Sequence, residues 1–169
     1  MNTFFTKINA LRFFRELIWW VFTAAISYAV LYPITQKVYY LHYTVNFAMI
    51  FVALTYFRYT ITMMSLPFLH SNALRFLLFT ANIVLFFYFA QQEQKFLGLL
   101  DNFYTEDFGF PNEGVIMFDD VKERFFSYLS KQLVFFNTGA LLMIVAFNLR
   151  LIVSWWQLYA YKSNVLMED

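Results

Sequence analysis

Phe76 to Gln92 reads FLLFTANIVLFFYFAQQ, seventeen consecutive positions without a charged side chain. Large rings and branched aliphatics fall on every side of a helix drawn through this stretch, and no polar alternation marks a half-wet strand. Such a segment is apolar all round, and about 20 residues of this kind cross the ~30 Å hydrocarbon core of a bilayer. An open sheet there leaves backbone groups unpaired in lipid, so the element is a helix.

Working outward, further uncharged runs extend from Leu17 to Gln36, Val38 to Phe57, Tyr59 to Leu74, Gln132 to Leu149 and Leu151 to Tyr161. Joining runs across the single arginines Arg58 and Arg150 gives four expected spans, near residues 17–36, 43–65, 73–92 and 132–156, with apolar character in the last continuing to 161. Pro33 lies near the end of the first, Pro67 stops the second, and Ser71 or Asn72 can cap the third. The fold class expected is all-α, a polytopic membrane protein with four transmembrane helices.

Composition agrees. The 169 residues are 61% hydrophobic, 24% aromatic and 14% charged, against a charged share of about 25% in soluble domains. The absence of Cys removes disulfides, thiolate nucleophiles and cysteine-zinc sites. A formal net charge of +1 offers no bulk attraction for nucleic acid.

Direction follows from where the cations fall. Lys7, Arg12, Arg15, Arg58, Arg75, Arg150 and Lys162 flank one side with only Glu16, Glu168 and Asp169, a net +4. The remaining five cations share the other side with eight acids, a net −3. Both termini are therefore expected in the cytoplasm, or in the matrix of an organelle. Trp19, Trp20, Trp155 and Trp156 would then share the cytoplasmic boundary, with Tyr32, Tyr39, Tyr40 and Tyr43 at the opposite one.

Residues 1–16 place Phe4, Ile8, Leu11 and Phe14 at helical spacing among Lys7, Arg12 and Arg15, which suits an interfacial amphipathic helix. The following apolar run is long and ends in Tyr-Pro-Ile-Thr-Gln, so it reads as a retained span and not as a cleaved leader. Residues 93–131 are too few to fold unaided, and they read as a helical hairpin projecting from the outer side between the third and fourth spans. Its rings Phe103, Phe108, Phe110 and Phe125 are candidate partner contacts. Residues 162–169 form a cytoplasmic tail.

Titratable groups give little chemistry. Asp119 and Glu123 share a helix face, but acids at a helix start are favoured by its dipole, and the spacing fits no calcium loop. His42 and His70 are 28 positions apart, about 42 Å along a continuous helix, which is too far for both to ligate one haem iron within a chain. A site shared with a partner chain stays open for either histidine. No metal and no cofactor is expected.

No acid falls inside the spans as drawn. Thr23, Ser27, Thr55, Thr80, Asn82, Asn137 and Thr138 are read as the mid-span polar groups, expected to bond between helices. Gly139 is the one glycine inside a span, so nothing suggests the broken helices of transporters. Arg58, Arg75 and Arg150 come from three spans at similar depth. They are candidates for holding an anionic headgroup or for pairing with Glu16 or a partner's carboxylate, set against separate snorkelling into the headgroup layer.

With no nucleotide motif, paired nucleophile or soluble domain, the chain is not expected to be an enzyme. The leading reading is a non-catalytic subunit that assembles, anchors or stabilises a larger membrane complex, such as a respiratory, ATP-synthase or secretion assembly. The alternative is a small homo-oligomeric transporter, channel or lipid-handling protein. Expected partners are other membrane subunits and lipids. The expected location is the bacterial cytoplasmic membrane, with the mitochondrial inner membrane as alternative.

Overall fold

A computed structural model describes residues 2–35, 43–62, 72–101 and 119–165, all of them helical. The elements are α1 (Asn2–Thr35), α2 (Tyr43–Thr62), α3 (Asn72–Asp101) and α4 (Asp119–Val165). Each contains a stretch long and apolar enough to cross a membrane: Phe13–Thr35, Tyr43–Thr62, Asn72–Gly98 and Phe126–Gln157.

Three of these stretches run further than the sequence bounds suggest, and two of them take in an acid that has a partner here. Glu16 lies inside the first stretch, fully buried and paired with Arg58. Glu93 lies inside the third and accepts a hydrogen bond from Thr138 at 2.8 Å. The absence of acids from the spans, expected from charge-free runs alone, is corrected accordingly: a paired carboxylate no longer costs what a bare one does.

α1 continues without a break through the expected boundary between residues 16 and 17. Pro33 sits inside it, two residues before its end, where little helix remains for a missing amide to disturb. α3 reaches Asp101 and α4 starts at Asp119, so helix continues past both spans into the segment expected to project. Of the hairpin rings, Phe125 falls on α4, whereas Phe103, Phe108 and Phe110 lie outside the described residues. His42 and His70 lie outside them too.

Packing follows a repeat readable along each helix. On α3 the inward positions are 75, 78, 82, 85, 89, 92 and 96, an unbroken alternation of three and four. On α4 the buried series is Leu129, Leu133, Asn137, Ala140, Ile144, Phe147 and Leu151. A mean spacing near 3.5 keeps one seam facing its neighbours along a helical bundle. α4 packs most extensively on α2, with α3 against α4 and α1 against α2.

Contacts along the seams fix the directions. Asn46 meets Gln132 and Tyr56 meets Phe147, so α2 and α4 run parallel. Glu93 meets Thr138 while Asn82 meets Asn148, so α3 opposes α4. Arg58, Arg75 and Arg150 consequently share one end of the bundle, together with Trp19, Trp20 and Trp155. At that end Tyr59, Phe147 and Leu151 form a small ring-rich core. The larger core, with Leu31, Ile34, Met49, Ile50, Phe89, Phe96 and Leu129, fills the remainder.

Candidate functional site

The bundle is fastened by polar contacts at several levels. At the arginine-bearing end, Nη2 of Arg58 donates to both Glu16 oxygens, at 2.5 and 2.6 Å. The guanidinium also lies over two rings, 5.1 Å from the Trp19 centroid and 5.4 Å from that of Tyr59. Beside it the Trp20 indole Nε1 donates to the Tyr59 hydroxyl at 2.6 Å. Glu16, Trp19 and Trp20 are one turn of α1, and Arg58 and Tyr59 are neighbours on α2. One turn of each helix therefore supplies an ion pair, two cation-ring contacts and a neutral hydrogen bond.

One layer further in, three helices are joined in series. The Tyr56 hydroxyl donates to Asn82 Oδ1 at 2.6 Å, and Asn82 Nδ2 donates to Asn148 Oδ1 at 2.9 Å. This runs from α2 through α3 to α4. Toward the opposite end, Asn46 and Gln132 exchange two amide hydrogen bonds, each 3.1 Å, in a fully apolar setting. In such surroundings a lone amide would be costly, and the reciprocal pair satisfies one donor and one acceptor of each partner.

The polar groups expected to bond between helices fall into three sets. Thr23, Ser27 and Thr80 donate to the carbonyl four residues back on their own helix, the usual outlet for a short hydroxyl in a helix. Asn82 and Thr138 do cross to another helix. Thr55 Oγ1 and Asn137 Oδ1 are buried with no hydrogen-bond partner among the described residues.

Asn46, Gln132 and Asn148 were not among the expected bridging residues. Asn46 precedes Met49, Ile50 and Ala53 on one face of α2, and Gln132 follows Leu129 on α4. The available signal was a lone amide on an otherwise apolar seam.

The three candidate arginines are not equivalent. Arg58 is held by Glu16 and its side chain is 19% exposed, whereas Arg75 is buried on α3 and Arg150 half-buried on α4.

Two open grooves flank α2. One, of about 490 Å³, runs between α1 and α2 and is lined by Arg15, Trp19, Phe22, Ile26, Phe57 and Arg58 among others. The second, about 590 Å³, lies between α2 and α4 and is almost wholly apolar, with Ala53, Phe57, Phe135, Gly139 and Leu142 on its walls. A Cβ placed on Gly139 would meet nothing within 4 Å, so the backbone there is open to a close approach from outside.

No family model, curated protein or solved structure matches this chain.

Proposed function

We propose that the chain is a non-catalytic integral membrane subunit that holds a larger membrane complex together, seating an apolar helix of another subunit in the α2–α4 groove. The observation that carries this reading is how little of each span the chain covers for itself. Only 17% of the α3 span window and 33% of the α2 window are buried. On α4, Phe135, Leu142, Val145, Leu149 and Ile152 make an exposed stripe at helical spacing. Gly139 lies beside that stripe, and a small residue of this kind lets a second helix approach closely.

In this reading both termini lie on the cytoplasmic or matrix side, because the arginine-bearing end follows the positive-inside rule. A bacterial cytoplasmic membrane fits best. The projecting arms of α3 and α4 offer a further contact to subunits on the opposite side.

Native electrophoresis of gently solubilised membranes tests the proposal. The chain should migrate in a stoichiometric assembly with different chains. Gly139→Trp should release it as a folded monomer, while Gly139→Ala should leave the assembly intact. A homo-oligomer that moves a solute in proteoliposomes would instead support the transporter or channel reading. The orphaned Thr55 Oγ1 and Asn137 Oδ1 would be the place to seek its path.

A further inference from the structure

We propose that the α1–α2 groove binds one anionic phospholipid. Its phosphate sits against Arg15 and Arg58, and one acyl chain lies along Phe22, Ile26, Leu54 and Phe57. The argument starts at the guanidinium of Arg58. Only its Nη2 is used by Glu16, and Nε and Nη1 have no acceptor among the described residues. Those two nitrogens belong to a side chain that lines the groove, and a planar fork of donors suits a phosphate oxygen pair.

Glu16 cancels the charge of Arg58, so the net positive charge at the groove mouth comes from Arg15. Arg15 is exposed, lines the same groove, and has no ion-pair partner among the described residues. Trp19 lies beside it with an exposed indole, the ring preferred at headgroup depth. Below this mouth the lining becomes apolar, through Phe22, Ile26, Leu54 and Phe57.

Length matches as well as charge. From Arg15 to Ile26 is eleven helical steps, about 16 Å along the α1 axis. That is about half of a ~30 Å hydrocarbon core, the depth of one leaflet. A volume of about 490 Å³ lies in the range of small-ligand sites. A cationic mouth, an interfacial indole and a leaflet-deep apolar trough together describe a lipid with an anionic head, and the cytoplasmic leaflet is where such lipids are concentrated. This site differs from the cluster of Arg58, Arg75 and Arg150 suggested by sequence, because it replaces two arginines on α3 and α4 with one on α1.

The experiment is native mass spectrometry of the purified full-length chain in mixed micelles containing equal amounts of phosphatidylglycerol and phosphatidylcholine. The unaltered chain should retain one phosphatidylglycerol in preference to phosphatidylcholine. A single cation near the headgroup contributes about a fivefold preference, so Arg15→Gln should lower the selectivity by about fivefold and Arg15→Lys should keep most of it. Ile26→Trp, which fills the trough from an exposed position, should reduce retention of both lipids. Equal retention of the two lipids by the unaltered chain overturns the proposal. So does selectivity that survives Arg15→Gln, or selectivity lost with Arg150→Gln and not with Arg15→Gln. Because the chain is alone in the micelle, these outcomes do not depend on its membership of a complex.

Discussion

The two ends of the bundle solve the same problem with different chemistry. At one end Glu16 and Arg58 bring opposite full charges together under two aromatic rings. At the other, Asn46 and Gln132 join two neutral amides inside an aliphatic core. The location of each pair accounts for the choice. Arg58 is four residues from the described end of α2 and its side chain remains 19% exposed, so part of the guanidinium keeps its solvation. Asn46 and Gln132 are both buried, where a bare ion would cost several kcal/mol and a dipole far less.

The sharpest way to break this comparison is to remove one charge. Arg58→Ala leaves Glu16 buried without its cation, and the expected loss is about 3–5 kcal/mol of stability in detergent-unfolding equilibria. The double variant Glu16→Gln with Arg58→Gln should recover most of that loss, because no uncompensated ion remains. A single variant costing under about 1 kcal/mol would show that water reaches Glu16 and that the two ends are alike.

The amide end should respond more mildly. Gln132→Ala strands the Asn46 amide and should cost about 1–2 kcal/mol by the same assay. Replacing both with Leu removes both needs at once and should be close to neutral. A double variant as damaging as the single one would mean that the amides do more than satisfy each other.

The smallest expected effect distinguishes inner seam from outer face. Gly139 has open space where a Cβ would go, so Gly139→Ala should raise stability by about 0.5–1 kcal/mol through helix propensity alone. Thermal unfolding of the isolated chain measures this. Destabilisation there would show that another part of the same bundle closes on the space beside Gly139 and that this face is not open.

Much of the fold was legible because hydrocarbon is an unforgiving solvent. Charge-free runs around Leu85 and Ile144 can only be helices if they cross lipid, and α1 to α4 overlap all four expected spans. The ends were less legible. In sequence the spans are bounded by Glu16 and Glu93, since a carboxylate read alone marks water, and only the positions of Arg58 and Thr138 show that these acids are accommodated. The bridging residues were partly legible. Asn82 stands out on an apolar helix, but Asn46 and Gln132 are 86 positions apart and neither indicates the other. For three of the hydroxyls the local outlet won: Thr23, Ser27 and Thr80 bond within their own turn, a competition that needs no neighbour.

By itself the sequence determined that the chain is helical, that four of its segments can span a membrane, and that cations gather toward one end. Those properties depend on the transfer of single segments from water to hydrocarbon, a quantity set by local composition. Only the tertiary structure decided which polar groups meet, that Arg58 serves Glu16, and that Arg15 is left over at the mouth of a groove. Those outcomes depend on which faces of separate helices come into register, and a pairing energy exists only after the partners are within hydrogen-bond reach.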